Sequence, residues 1–225
     1  MAKEKGSAAK TEPDKLKLYR VLAIGGFVLI AGGALSIPFA YETQTLWYKI
    51  GIDKTLLRGG QMAGLLAAVL VFVQILLAAR GKFLKELFGL AALMRWHRRN
   101  GIVIALLAIG HVTLVMAPEG LTNFPIGKKY WPEMVGGLLL LILVSMAISS
   151  HFREKLALNY RRWRAIHKLL GYLVLIIISG HVLFVSESFK HPVPKTAFVT
   201  IVVGVVAAVL LSKITSPRPP PSRGK

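Results

Sequence analysis

Two stretches decide the fold: residues 96–115, WHRRNGIVIALLAIGHVTLV, and residues 166–185, IHKLLGYLVLIIISGHVLFV. They align without gaps, and both contain the pattern H-x3-G-x8-G-H. A helix needs about 20 predominantly apolar residues to cross the hydrocarbon core of a bilayer. Each stretch has that length and that character. The repeat therefore predicts two transmembrane helices that share one design.

Four more apolar stretches of similar length flank these two. The chain of 225 residues is 54% hydrophobic, above the range of about 45–50% that is usual for soluble domains. The predicted spans are residues 19–40, 60–79, 97–117, 134–150, 166–185 and 196–214. We therefore expect an all-α integral membrane protein, a bundle of six transmembrane helices over residues 19–214. Residues 1–18 are expected to form a basic cytoplasmic tail, and residues 215–225 a Pro-rich, disordered cytoplasmic tail.

The distribution of basic residues sets the direction of the helices. Of the 29 Lys and Arg residues, 22 lie in the two tails, in the second and fourth connections and at the span ends next to them, and 7 lie in the other three connections. Cytoplasmic segments carry the excess of basic residues. Both termini are therefore predicted to be cytoplasmic. Because the charge is sorted by side of the membrane, we do not expect nucleic-acid binding.

The composition also excludes several kinds of chemistry. The chain has no cysteine, so it cannot supply disulfides, thiolate zinc ligands, iron–sulfur ligands or a cysteine nucleophile. It also contains no phosphate-binding motif, no Ser-His-Asp grouping and no paired intramembrane carboxylates. We predict no catalytic residue, and histidine is left as the main candidate for a metal ligand.

Four histidines occupy matched positions in the repeat. His97 and His111 are 14 residues apart, as are His167 and His181. Fourteen steps of about 100° make nearly four turns and rise about 21 Å, so both imidazoles of a helix lie on roughly one face at different depths. The third and fifth spans run parallel. We therefore predict two pairs across the helices, His97 with His167 and His111 with His181.

Facing imidazoles at two depths suit the axial ligands of two b-type haems, held without covalent attachment. Glycines beside the histidines would let a flat macrocycle approach the helices, and basic residues at the inner level would contact the anionic propionates. The predicted cofactor-contacting residues are Gly101, Gly110, Gly171, Gly180, Arg95, Arg98, Arg99, Arg164 and Lys168.

The remaining histidines, His151 and His191, have no counterpart in the repeat, and we expect no ligand role for them. A histidine in a membrane helix can also serve as an interhelical hydrogen-bonding residue. Matched spacing on two parallel helices favours the haem interpretation, since intramembrane ionisable residues usually mark functional sites.

The third and fifth spans carry the elements of a known family. The segment Tyr160-x-x-Trp163-Arg-x-x-His167-Lys-x-x-Gly171 and the two histidine pairs resemble the ferric reductase-like transmembrane domain. That domain is the membrane part of ferric reductases, NADPH oxidases and the haem subunit of the methionine-sulfoxide reductase system. The resemblance implies that the four paired histidines bind two haems, which carry electrons from the cytoplasmic side toward the outer face.

The leading functional expectation is a transmembrane electron-transfer cytochrome b in a prokaryotic inner membrane. Only residues 215–225 follow the sixth span, so we expect a separate flavoprotein or iron–sulfur protein to donate electrons at the basic cytoplasmic face. That face would also contact anionic lipids. An acceptor protein or small acceptor would take the electrons at the outer face. The alternatives are a quinol-linked cytochrome b subunit and a membrane scaffold or transporter without redox chemistry.

Overall fold

The computed structural model describes residues 11–120 and 124–214, and within them the chain forms eight α helices, three short 3-10 turns and no strand. The helices are α1 (Thr11–Ala40), α2 (Gln44–Trp47), α3 (Gly51–Ala79), α4 (Lys82–Phe88), α5 (Leu90–Met116), α6 (Trp131–His151), α7 (Tyr160–Val185) and α8 (Pro192–Ile214). Six of them, all but α2 and α4, are long and apolar enough to cross a membrane. The predicted all-α fold with six candidate membrane spans is confirmed.

The long helices begin earlier than the apolar stretches predict. Helix α1 begins at residue 11 and not at 19, α3 at 51 and not at 60, and α5 at 90 and not at 97. The added turns contain Lys and Arg, whose aliphatic stems can lie along a helix while their charged ends reach water. Arg95 consequently lies within α5, together with Arg98 and Arg99, and not in the connection that precedes the helix.

The tails are only partly covered by the described residues. Residues 11–18 of the expected N-terminal tail form the first turns of α1, while residues 1–10 lie outside the described part of the chain. The Pro-rich segment 215–225, for which disorder was predicted, lies outside it as well.

Two short helices in the connections were not predicted. Helix α4 places Leu87 fully inside the protein and leaves Lys82 and Lys85 exposed. Gly89 then adopts a φ of 77°, a conformation that glycine reaches without a steric penalty. The chain can therefore turn directly from α4 into α5, which brings the basic start of α5 to the end of the bundle.

Helix α3 is the centre of the bundle. It packs against α1, α5, α7 and α8, and α6 packs against α5 and α7. By contrast, α5 and α7 have almost no close backbone contact within the described residues. The two histidine-bearing helices are thus held apart by their neighbours, with a gap between them.

The shared core joins α3 to the second half of the chain. Phe72 of α3 packs against Phe198 of α8, with ring centroids 5.7 Å apart, and buried aliphatic side chains of α5, α6 and α7 complete the cluster. On the outside of the bundle large apolar side chains are exposed, among them Leu29 at 78% and Ile176 at 69%. Such a surface suits lipid and not water, in agreement with a multi-pass membrane protein.

Candidate functional site

The gap between α5 and α7 contains two pairs of imidazole rings. His97 of α5 faces His167 of α7 with ring centroids 6.3 Å apart and ring planes at 71°. His111 faces His181 with centroids 6.5 Å apart and planes at 82°. The structure therefore brings together the same two pairs that the spacing predicts. We call them the inner pair (His97 and His167) and the outer pair (His111 and His181).

Both members of the outer pair are oriented by backbone carbonyl groups of a neighbouring helix. His111 Nδ1–H donates to the Gly60 carbonyl oxygen of α3 at 2.8 Å. His181 Nδ1–H donates to the Pro132 carbonyl oxygen of α6 at 3.1 Å. Because a carbonyl can only accept, Nδ1 must hold the proton in both rings. Nε2 is then the nitrogen with a free lone pair, which is the form of histidine that binds metals.

A glycine lies against each ring of the outer pair, one turn after the carbonyl that holds it. A Cβ atom at Gly64 would lie 2.7 Å from His111 Nδ1 and 2.8 Å from His111 Cε1. A Cβ atom at Gly136 would overlap His181 Cε1 and lie 2.9 Å from His181 Nδ1. Real Cβ atoms essentially never approach so closely. Each ring therefore occupies space that only a glycine leaves free.

The inner pair is oriented mainly by side chains. The Gln74 amide of α3 donates to the His97 backbone carbonyl at 2.9 Å and lies 3.4 Å from His97 Nε2. Asn100 donates to Gln74 Oε1 at 2.9 Å and to the Leu70 carbonyl at 2.9 Å. This polar network ties α3 to α5 directly beside His97, whose own Nδ1 is buried without a hydrogen-bond partner.

His167 has a different environment from His97. Its Nδ1 lies 3.4 Å from the Ser150 hydroxyl of α6. The Trp163 ring lies over its imidazole, with centroids 5.1 Å apart and planes at 31°. Trp163 is one turn earlier on α7, and the Asn159 side chain caps that helix by accepting from the Arg161 and Arg162 amides. The cap fixes the start of α7, and the Trp163 ring limits the positions that the His167 ring can take.

Six buried side-chain polar atoms lack a hydrogen-bond partner within the described residues. Besides His97 Nδ1, the indole N–H of Trp163 and the Nε–H of Arg80 lack a hydrogen-bond partner near the inner pair. The other three atoms are Arg58 Nε, Gln61 Oε1 and Glu133 Oε2. Gln61 and Glu133 directly follow Gly60 and Pro132 in the sequence. Buried polar atoms are normally satisfied, and the three beside the inner pair are available to a polar group that enters the gap.

Three of the four predicted glycines border open space and one does not. A Cβ atom at Gly110, Gly171 or Gly180 would meet nothing within 4 Å. At Gly101 it would lie 3.2 Å from the Gln74 amide nitrogen. Gly101 therefore makes room for the side chain of Gln74.

The predicted basic residues are exposed at the inner end of the bundle. Arg95, Arg98, Arg99, Arg164 and Lys168 are all exposed. None of these five forms an ion pair with an acidic residue that the structure describes. Their charges are therefore available for contact with another molecule.

The opposite end of the bundle has a nearly balanced charge. Glu42 pairs with Lys54 at 2.9 Å and with Arg58, and Lys49 pairs with Glu119 at 2.9 Å. The hydrogen bond from Lys54 holds the pKa of the Glu42 carboxyl below its usual value. By sequence this side carries 7 basic and 5 acidic residues, against 22 and 5 on the side of the termini. The unpaired positive charge thus belongs almost entirely to the inner end.

The two remaining histidines lie apart from the pairs. His151 ends α6 and packs on Phe152, with ring centroids 4.7 Å apart, while His191 packs on Tyr41 at 5.2 Å. Both are exposed. Among residues 11–120 and 124–214, no three His, Asp or Glu side chains converge on a possible metal position.

The supporting residues on α3 and α6 were missed by sequence reasoning. Gly60-Gln-Met-Ala-Gly64 and Pro132-Glu-Met-Val-Gly136 occupy the same place relative to the two outer histidines. The repeat seen in α5 and α7 thus extends to their partner helices. The shared Met-x-Gly at matching positions could have indicated this, but two identical residues in five are a weak pattern.

Comparison with known proteins identifies the class to which this bundle belongs. The family described as “Ferric reductase like transmembrane component” matches residues 63–178, just over half of the chain. The chain belongs to this family. The match runs from α3 into α7 and includes His97, His111 and His167, whereas His181 lies three residues beyond it. No curated protein and no solved structure matches the chain.

Membership in this family agrees with the resemblance seen in the sequence. Domains of this kind generally bind haem, and they indicate a role in electron transfer across a membrane.

Proposed function

We propose that the protein is a transmembrane cytochrome b in which the inner and outer histidine pairs each provide both axial ligands of one b-type haem. The observation that carries the proposal is the separation of the two rings in each pair. An imidazole nitrogen lies about 2 Å from a bound transition metal ion. With ring C–N bonds of about 1.3 Å, the ring centroid lies about 1.1 Å behind that nitrogen.

Two imidazoles on opposite sides of one metal ion therefore have their centroids about 6.2 Å apart by the same bond lengths. The inner pair, at 6.3 Å, and the outer pair, at 6.5 Å, both fit this value. Histidines that simply hydrogen-bonded to one another would bring their ring nitrogens to about 3 Å and their centroids correspondingly closer. Gly110, Gly171 and Gly180, where a Cβ atom would meet nothing within 4 Å, leave room for a flat macrocycle to approach the two helices.

When bound, haem iron supplies a carrier that accepts and gives up single electrons. The chain would hold the two carriers at depths about 21 Å apart along the helices. Carbonyls of α3 and α6 set the tautomer of the outer pair, and the Gln74 and Asn100 network positions His97. Arg80 and Trp163 offer unpartnered N–H groups at the inner level, where anionic propionates would be stabilised.

The electron donor would dock at the inner end. Its exposed, unpaired arginines and lysine make a positive surface, which accelerates encounters with an acidic protein partner more than it strengthens binding. We propose a separate flavoprotein or iron–sulfur protein for this role, with anionic lipids as neighbours in the membrane. The excess of basic residues on the side of the termini supports a cytoplasmic position for both of them. We propose that the membrane is a prokaryotic inner membrane.

The acceptor would be reached from the outer pair. The outer end carries little net charge, and its connections are joined by ion pairs such as Lys49 with Glu119. We propose that electrons pass from the inner to the outer level and leave there to an acceptor protein or a small acceptor.

The proposal can be tested in lipid vesicles that contain the purified protein. A membrane-impermeant reductant is enclosed and ferricyanide is added outside, so that only transfer through the protein bleaches the ferricyanide. We expect transfer by the wild type and its loss in His97→Ala and His111→Ala. Haem-loaded protein that transfers no electrons would contradict the proposal. Haem reduction by a quinol analogue alone would instead identify a quinol-linked cytochrome b.

A further inference from the structure

The outer pair shares a supporting geometry on two different helices. On α3 the Gly60 carbonyl accepts from His111 and Gly64 leaves room for the ring one turn later; on α6 Pro132 and Gly136 do the same for His181. A carbonyl at one position and a glycine four residues on lie on the same helix face. We call each combination a histidine seat.

We propose that Gly64 and Gly136 are positioning residues, which set the direction of the outer imidazoles and thereby the properties of the outer haem. The inference rests on the proposed function, because it concerns the same histidines. It goes beyond that function by assigning a role to two residues that bear no functional group. Neither glycine would touch the iron; each would act through the ring that lies against it.

The geometry explains why no other residue would serve at these positions. The hydrogen bond to the carbonyl fixes one edge of the imidazole, so the ring can only pivot about that bond. The glycine lies against the ring near the bonded edge, where a methyl group would overlap Cε1 of His181 and lie 2.8 Å from Cε1 of His111. The ring would have to rotate or move away, and its hydrogen bond would lengthen as a result.

Rotation of an axial ligand has consequences that loss of packing alone does not have. The two outer rings lie at 82° to one another. The angle between the planes of axial imidazoles governs the g values of a low-spin ferric haem, and the strength of the Nδ1–H hydrogen bond tunes the ligand and the potential. A displaced ring should therefore shift the spectrum and potential of one haem only.

The chain supplies matched controls for the experiment. Gly137 neighbours Gly136 on α6, and a Cβ atom there would meet nothing within 4 Å. Gly59 directly precedes Gly60, the first residue of the seat on α3, and a Cβ atom there would only touch a Leu114 methyl group at an ordinary 3.9 Å. Alanine at either control position adds the same methyl group to the same helix without reaching a histidine.

The experiment compares Gly64→Ala and Gly136→Ala with Gly59→Ala and Gly137→Ala in full-length protein. Haem content, low-temperature electron paramagnetic resonance and redox titration are measured for each. Losing such support typically weakens metal binding roughly 10–100-fold. For the two seat variants we expect a selective loss of the outer haem or a shift in its g maximum and potential. The inner haem should keep its full intensity, which shows that the bundle is folded, and both controls should match the wild type.

Three results would overturn the inference. One is a normal outer haem in both seat variants; another is an equal change in both haems; a third is an equal effect of the control variants. If the wild type itself binds no haem, the proposed function fails together with the inference. The haem content of the unaltered protein therefore distinguishes a failure of the function from a failure of the inference alone.

Discussion

Replacement of Gln74 by leucine tests the polar support of the inner pair. The leucine keeps much of the volume but removes the amide that donates to the His97 carbonyl and accepts from Asn100, both at 2.9 Å. A hydrogen bond between membrane helices is worth about 0.6 kcal/mol on average. Two such bonds amount to about 1.2 kcal/mol, which corresponds to roughly sevenfold weaker retention of the inner haem.

Haem loss can be followed by adding a large excess of a haem-scavenging apoprotein to the purified protein. If two haems are bound, loss should occur in two phases. In Gln74→Leu we expect one phase to accelerate roughly sevenfold while the other stays unchanged, because the outer pair is held by backbone carbonyls that the substitution does not reach. Ser36→Ala is the control: it removes a hydroxyl that donates to the Gly33 carbonyl on α1, a helix without a histidine.

Equal acceleration of both phases would show that Gln74 supports the bundle as a whole. Unchanged rates in both phases would show that the network beside His97 does not support the inner haem. Either result would refute the division of the site into an inner pair supported mainly by side chains and an outer pair supported by carbonyls.

Further predictions concern the two ends of the bundle. Reversing two inner charges, Arg98→Glu with Arg164→Glu, should slow reduction by an acidic donor roughly tenfold at low salt, and stopped-flow rates should converge with those of the wild type at high salt. Because Lys54 lowers the pKa of Glu42 below 4.5, the ionised carboxyl stabilises the fold above that pH. The melting temperature of the wild type should therefore fall as the pH drops below 4.5, and it should fall more than the melting temperature of Glu42→Gln. His151→Ala and His191→Ala should leave the haem content of purified protein unchanged, and a loss in either would mean that the pairs do not account for all ligands.

The six spans could be predicted because length and hydropathy alone specify a membrane helix. The helix ends could not be predicted, because the first turns contain Lys and Arg. The aliphatic stems of these residues can lie along the helix, which lets the helix extend beyond the apolar stretch. Helices α2 and α4 are also too short for a periodic pattern. Leu87, which anchors α4, is a single apolar residue whose burial depends on the helices around it.

The histidine pairs could be predicted from the sequence for a different reason. Their spacing of 14 residues and the direction of the spans place His97 level with His167 and His111 level with His181, and the structure brings together the same partners. The residues that support the rings could not be predicted from the sequence. Which face of α3 or α6 meets a histidine depends on how the helices are rotated, so Gly64, Gly136 and Gln74 resembled ordinary residues of membrane helices.

The central claim is that each histidine pair binds one haem, and counting haems tests it most directly. In a pyridine haemochrome assay with purified protein, we expect two haems per chain in the wild type and one in each of His97→Ala and His111→Ala, with a Soret band in all three. A wild type without a Soret band would contradict the claim. Haem content that either substitution leaves unchanged would contradict it equally.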